Sequence, residues 1–596
     1  MRPLARLPRK GLRRAGLRRT GLLLSDVIRT VVIPAGLRRC GRAVCLAAAL
    51  LLAAACGADA PPPDRILLNG LIWTGDTARP AATALAIRGD TIIAIGYDAE
   101  IEALAGEATR KENLGGRRVV PGFHDAHWHL PARRDADLTG APTVDSIVAR
   151  LQSFAATLPP DAWVTGRGWT PDMFPANTAT NAAIDAAFPN RPVLLVDRDG
   201  HQSIANSVAL RLTGINRTTV APAGGAIDRA RDGTPTGLLR ETAAWPVKAK
   251  IPAPSAEEVY ATLQATMTAA ARDGLTALQI ANGLNAAEEE AFARALAEGT
   301  LLTRFRIAVP FIPLPSDSAL SEWTARRDRD RGPLLRYGIA KGMLDGTVDA
   351  RSAAMLAPYA VGGGTGLPRW SLDTLAETLA RYDSAGIQVE LHAIGDAAIR
   401  QALDAYEAVE RRNGPRDRRH RIEHLEVPDP ADLPRFKALG VIASTQAVFA
   451  TPDATALQNY VPLLGPERAA RAMPFKALDD AGAVQAFGND YPVFPMSPIL
   501  GMQMAVFRQL ADGTPEGGWE PQHRISVEAA LRHYTGDAAY AAFREREIGT
   551  LAPGMLADLV VLSDDILDAT LATFTRARPV LTIMGGRDTY RDPALR

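Results

Sequence analysis

The sequence predicts an α/β protein built around a parallel (β/α)8 barrel, with short β-meanders at both ends of the chain. Three observations predict it. Apolar runs of strand length alternate with amphipathic helical stretches through the middle of the chain, the pattern of parallel strands joined by helical crossovers. Histidines, a lysine and an aspartate stand at the C-terminal ends of several of these runs, the face on which such barrels build their sites. The runs near the two ends, at 66–73, 84–88, 91–95, 549–562 and 578–590, are short and are broken by Gly and Asp turns.

Composition narrows the class. At 596 residues, 47% hydrophobic and 22% charged, the chain has an ordinary globular balance and exceeds a single small domain. The formal net charge of +1 conceals an asymmetry, because residues 1–55 carry twelve Lys/Arg and one acid, leaving a net −10 on residues 56–596. A mildly acidic body without a basic patch argues against nucleic acid as a partner.

The uncharged stretch 43–55 is too short to span a bilayer and suits the apolar core of a signal peptide. It ends in Leu52-Ala53-Ala54-Ala55-Cys56-Gly57, which resembles a bacterial lipobox. Residues 1–55 are therefore expected to be a lipoprotein-type signal peptide. A lipid on Cys56 would be the only membrane attachment of an exported protein on the outer membrane or facing the periplasm. An ordinary cleaved secretory signal is the alternative. The three cysteines are Cys40, Cys45 and Cys56, so the body has no disulfide framework, thiol nucleophile or thiolate metal site. Any metal there must be held by His, carboxylate or modified Lys.

Residues 56–63, with Ala60-Pro61-Pro62-Pro63, read as a stiff linker, and 64–118 as the first β-rich segment. The apolar run Val119-Val120 then leads into Pro121-Gly122-Phe123-His124-Asp125-Ala126-His127-Trp128-His129. If that run is a strand, His127 and His129 point to one side, about two strand rises apart, and can share one metal. Strand-length runs follow at 191–196, 275–280, 304–309, 335–341, 388–392, 419–424, 441–446 and 483–488, with helices expected over 255–273, 372–385 and 397–412. On this reading 119–545 is the barrel with insertions, and 546–596 returns to the β-rich part.

The runs 388–392 and 419–424 end in His392 and His424. Alternation puts His420, Ile422 and His424 on one face, with His424 at the strand end and His420 structural. Lys341 closes the run 337–341. An inward ammonium beside imidazoles is unfavourable, and carboxylation by carbon dioxide would convert it into an anionic carbamate able to bridge two metals. A Lys341 paired with Asp345 or Asp490 is the alternative. Asp490, ending the run 486–490, offers a carboxylate that can bind a metal and take a proton from water.

Together PGFHDAHWH, the Lys341 strand, LHAIGDAA, RHRIEHLE, FGNDYP and LAPGMLADLVVL resemble the amidohydrolase superfamily, in the branch called amidohydrolase family 3 or the YtcJ-like proteins. The likeness extends from about Ile66 to Tyr590 and includes GRGW at 166–169, DGH at 199–201 and DGTPTGLLRE at 232–241. It implies a distorted (β/α)8 TIM barrel with a β-sandwich built from both chain ends. It also implies that His127, His129 and Asp490 hold the more buried metal, that His392 and His424 hold the second, and that a carboxylated Lys341 bridges them. His201 would polarise the substrate carbonyl, and Asp125 would orient ligands from outside the coordination sphere. Three positions depart from the pattern. Phe449 follows Gln446 where many relatives carry a His, Gln279 stands where many carry a His or Asp, and His124 occupies a usually apolar place. The first two are expected to remove polar groups from the pocket and the third to add one.

The expected function is a metal-dependent hydrolase acting on a non-peptide carbon–nitrogen bond. Its substrate would be the amide of a small N-acyl or N-formyl compound, attacked by a metal-activated water, with Asp490 passing the proton to the leaving nitrogen. One or two divalent ions per chain are implied, zinc by ligand chemistry, with Fe, Mn and Ni compatible. The same site is compatible with a cyclic amide, a dipeptide or an ester. The rival from another class is a lipid-anchored binding protein that has lost turnover.

Overall fold

The computed structural model describes residues 61–131 and 135–595. The expected signal peptide, Cys56 and the first residues of the linker lie outside them.

Eight parallel strands form the central sheet, each hydrogen-bonded to the next in chain order. They are β1 (Phe123–Trp128), β2 (Leu275–Ile280), β3 (Arg304–Pro310), β4 (Leu335–Met343), β5 (Gln388–Ala393), β6 (Arg421–His424), β7 (Ile442–Gln446) and β8 (Gln485–Gly488). Just past β8 the chain meets β1 again: the Asp490 amide donates to the His127 carbonyl at 2.8 Å, and the His129 amide to the Tyr491 carbonyl at 2.9 Å. The result is a nearly closed TIM-type barrel. Asp125 fastens this seam, since its Oδ1 accepts from the amides of His127 at 3.0 Å and Asn489 at 3.1 Å.

The outward residues of the strands bury against helices, as period-2 alternation requires. Ala340, Val389, Leu391, Ile422 and Ala443 share one core cluster with Leu375, Leu379, Ile399 and Leu403. The last four come from two helices, Leu372–Ser384 and Asp396–Asn413. A third helix, Ala256–Arg272, starts on a reciprocal cap, with Glu258 N bonded to Ser255 Oγ and Ser255 N to the Glu258 carboxylate. Its apolar face, with Val259, Leu263 and Met267, covers Phe123, Leu275 and Leu278.

Two expectations are corrected here. The run 191–196 is not a barrel strand. As Val193–Asp197 it sits in a separate six-stranded sheet and pairs antiparallel with Gln202–Ala205. A hairpin partner five residues on takes up its hydrogen bonds, and the period of an apolar run does not say which sheet it joins. The two histidines, likewise, do not follow the strand containing Val119 and Val120. That strand, Arg118–Pro121, pairs with Leu71–Trp73 and Leu559–Leu562 in a sheet made from both chain ends. The chain breaks at Gly122 and only then enters β1. A Cβ on Gly122 would lie 2.2 Å from Thr276 Oγ1, so glycine lets β1 seat against β2 at this crossing.

The mixed sheet faces a second one, ordered Thr91–Gly96, Ala84–Arg88, Arg65–Leu68 and Arg110–Asn113. Leu67, Leu85, Ile87, Val119, Leu559 and Leu581 meet in the core between them. The buried pair Arg304–Asp558, with contacts of 2.7 and 2.8 Å, ties β3 to the segment that precedes Leu559–Leu562.

Candidate metal centre

The closure that makes the barrel also gathers the ligands. His127 and His129 lie on one side of the strand end, ring centroids 5.2 Å apart. Their Nε2 atoms stand 3.5 and 3.0 Å from Asp490 Oδ1. Among the described residues these three form the group of His and acidic side chains whose ligand atoms all fall within 4.8 Å of one another. Asp490 reaches this place with φ at +54°, a left-handed conformation rare outside glycine and often held at functional sites.

The far nitrogens are occupied. His127 Nδ1 is 2.6 Å from Glu423 Oε2 and His129 Nδ1 is 2.8 Å from Asn282 Oδ1. Both partners are acceptors, so each Nδ1 carries the proton and each Nε2 turns a lone pair toward Asp490. Asp490 Oδ1 is buried with no hydrogen bond of its own. Two lone pairs and a carboxylate oxygen converging on one point repel each other unless a cation lies between them, so these residues fit a divalent metal.

His424 ends β6, and His392 is the last residue but one of β5. Their ring centroids are 4.4 Å apart, and His424 is 4.8 Å from His127. His424 Nδ1 is buried without a partner, and His392 Nε2 is 3.3 Å from the Gly346 carbonyl. Burial, with the Lys341 charge adding to it, pushes all three of these imidazoles down, His424 to about 3. They are neutral and free to ligate.

Lys341 Nζ lies 3.3 Å from His127 Nε2. Burial lowers its pKa against the opposing pull of Glu423, Glu390 and Asp490. Asp345 is not its partner: that carboxylate accepts from the amides of Ala354, Ile394 and Gly395 at 2.8, 3.1 and 2.9 Å.

His201 approaches from the inserted sheet, its ring 5.1 Å from that of His392. Its Nδ1 lies 3.0 and 2.9 Å from the two oxygens of Glu241, which Arg369 and Ser352 also bind. Burial works to keep His201 neutral, and the Glu241 carboxylate overcomes it and raises the pKa. All six expected metal ligands and His201 line one cavity of about 1180 Å3.

Of the three departures, only His124 differs from expectation. His124 does not join the cavity. It is buried toward the other end of the barrel, where burial and the charges of Arg544, Arg421 and Arg306 push it down to about 3. Gln279 is fully buried, its Nε2 donating to the Ile280 carbonyl, and the polar group this strand offers the site is Asn282. Phe449 does stand beside the ligands, stacked on His424 with centroids 6.0 Å apart. His420 sits before β6, bonded to the Val389 amide and facing Asp383, away from the centre.

Sequence reasoning missed Glu423, Asn282 and Glu241. Alternation puts Glu423 on the face opposite His424, yet φ of +75° at His424 and +53° at Leu425 ends the regular strand, and both side chains reach the site. Asn282 lies two residues beyond β2, and Glu241 closes the DGTPTGLLRE segment. Replacing Glu423 by Gln is expected to weaken metal affinity about 10- to 100-fold, the usual cost of losing a ligand-orienting partner. Chelator competition measures it, and an unchanged affinity would remove Glu423 from the site.

A nearly closed (β/α)8 barrel with four histidines, a lysine and an aspartate at the C-terminal ends of its strands defines a metal-dependent hydrolase. The chain belongs to the amidohydrolase family, whose sequence profile matches residues 111–590. It is 31% identical over 550 residues to Protein LONG AFTER FAR-RED 3 of Arabidopsis thaliana, covering 88% of this chain and 91% of that one. It is 28% identical over 545 residues to the N-substituted formamide deformylase of Arthrobacter pascens, covering 88% and 97%. The fold matches that of a metal-dependent hydrolase from Pyrococcus horikoshii OT3 with a TM-score of 0.66, at 24% identity over 85% of this chain and 99% of that one.

Proposed function

We propose that the protein hydrolyses the amide bond of a small N-substituted formamide or related N-acyl compound. The site would be formed by His127, His129, Lys341, His392, His424 and Asp490. The observation that carries this reading is the convergence of His127 Nε2 and His129 Nε2 on Asp490 Oδ1, with the Lys341 amine 3.3 Å from the first of them. The likeness to an N-substituted formamide deformylase supports the choice of bond.

His127, His129 and Asp490 would hold one divalent ion, and His392 and His424 a second, zinc being the ion that best suits imidazole and carboxylate donors. When bound, such ions supply Lewis acidity toward a carbonyl oxygen and lower the pKa of water. Burial favours the neutral amine of Lys341. That amine could add to carbon dioxide with loss of a proton, and the carbamate anion so formed would supply Lys341 as an anionic oxygen ligand beside the two sets of imidazoles. Asp490 takes the proton from the attacking water and delivers it to the nitrogen as the carbon–nitrogen bond breaks, releasing a carboxylic acid and an amine. His201, held through Nδ1 by Glu241, presents Nε2–H to the carbonyl oxygen as negative charge grows there. The cavity is far larger than a formyl group and leaves room for a bulky N-substituent.

The N-terminal pattern adds the proposal that the enzyme is exported and tethered through a lipid on Cys56. A Cys56→Ser variant would then appear in the soluble fraction rather than with membranes, and equal partitioning of the two proteins would exclude the tether.

The activity is tested by incubating metal-loaded protein with N-substituted formamides, longer N-acyl amides and esters while quantifying released amine and acid. Faster turnover of formamides than of esters is expected. Turnover of esters alone would move the reading to another bond, and inertness toward the whole panel would favour the binding protein.

A further inference from the structure

The end of the barrel opposite the metal centre carries a second cavity, of about 590 Å3, that hydrolysis does not use. Tyr337, Gln388 and His420, near the starts of β4, β5 and β6, stand on its wall. Its charge is one-sided, because six arginines line it, Arg306, Arg327, Arg331, Arg336, Arg416 and Arg418, against three acids, and most nearby carboxylates are shared by two guanidiniums. Asp328 serves Arg327 and Arg331 at 3.0 and 2.5 Å. Glu547 serves Arg336 and Arg544 at 3.0 and 2.9 Å, and Asp383 serves Arg416 and Arg418 at 2.5 and 2.8 Å. Of Asp328, Glu547 and Asp383 only Glu547 is on the wall itself, and the remaining wall acids, Asp330 and Asp417, are engaged by Arg329 and Arg419.

Arg306 has no such partner. Among the described residues no carboxylate lies within ion-pair distance of it, and its guanidinium bonds go to neutral groups, Gln388 Oε1 at 2.5 Å and the Gly338 carbonyl at 3.5 Å. It is only 7% exposed. Burial and the guanidiniums of Arg421, Arg336 and Arg544, only partly offset by Glu390, lower its pKa to about 9. Glu390 itself lies toward Arg421, at 3.6 Å. A buried cation with no carboxylate in ion-pair contact is unfavourable, and an anion entering from solvent would supply one. Access exists at the rim, where the Arg331 side chain is 72% exposed. Guanidinium forks match the oxygens of carboxylates and phosphates and hold them in a defined orientation.

We propose that this cavity is an anion-binding site in which Arg306 holds the phosphate or carboxylate group of a small molecule, at the base of the barrel and apart from the metal centre. The site stands independently of the amide-hydrolysis reading.

Titration calorimetry with inorganic phosphate and with acetate, on the metal-loaded full-length chain and its Arg306→Gln variant, tests it together with anomalous diffraction from bromide-soaked crystals. A bromide peak beside the Arg306 guanidinium is expected, with at least a tenfold weaker affinity for one of the two anions in the variant and unchanged amide hydrolysis. The anion that binds the wild type more tightly identifies the group recognised. Equal affinities in the two proteins would overturn the proposal, because the anions would then be binding at the metals. Absence of a bromide peak at Arg306 would overturn it as well, and that measurement decides alone if the variant fails to fold.

Discussion

Asp490→Asn is expected to lower kcat by about 10²- to 10⁴-fold, the range over which a positioned proton carrier contributes, while the protein remains folded. The fold is expected to survive because the contacts that close the barrel at this residue are made by its backbone, through the 2.8 Å bond from its amide to the His127 carbonyl. The side chain instead faces the two Nε2 atoms and has no hydrogen bond at Oδ1. An amide there remains a neutral oxygen ligand but cannot carry a proton, so metal is retained in part while turnover collapses. Metal content measured beside kcat separates the two roles. Activity falling only in proportion to lost metal would reduce Asp490 to a ligand, and unimpaired turnover would place the chemistry elsewhere.

Lys341→Ala is expected to have the second largest effect, cutting bound metal from about two ions per chain to one or fewer and removing activity with it. As an ammonium this side chain would oppose the metals, because it sits 3.3 Å from a histidine nitrogen whose lone pair faces the site. Its burial is what favours the reactive amine. Carboxylation would change it from the group that most disfavours cations into an anion beside the two sets of imidazoles. Protein grown with 13C-labelled bicarbonate should show a carbamate carbon resonance that the variant lacks. A variant with full metal content and activity would leave Lys341 without a bridging role.

Much of this arrangement was legible in the sequence because a barrel strand obeys a simple rule. In β5 the alternation of Gln388, Glu390 and His392 with Val389 and Leu391 separates the barrel interior from the helix-covered side, and the histidine falls at the functional end. The same rule brought His127 and His129 together. It failed where the backbone leaves the strand region: at Gly122, which moves the chain from one sheet to another, and at His424, whose positive φ brings Glu423 and His424 to the same centre. It also says nothing about depth. His124 and His127 both occupy β1, but one lies among arginines near the base and the other among ligands near the mouth. Asn282 and Glu241 come from segments with no metal-ligand spacing, so only the folded chain brings them to His129 and His201.

A metal centre built on these six side chains is revealed by anomalous scattering at the zinc edge from crystals of the zinc-loaded protein. Two peaks are expected, each about 2.0–2.2 Å from its ligand atoms. One would be bound by His127, His129 and Asp490, the other by His392 and His424, and Lys341 would reach both. Crystals that take up zinc with no peak at any of these residues would contradict it.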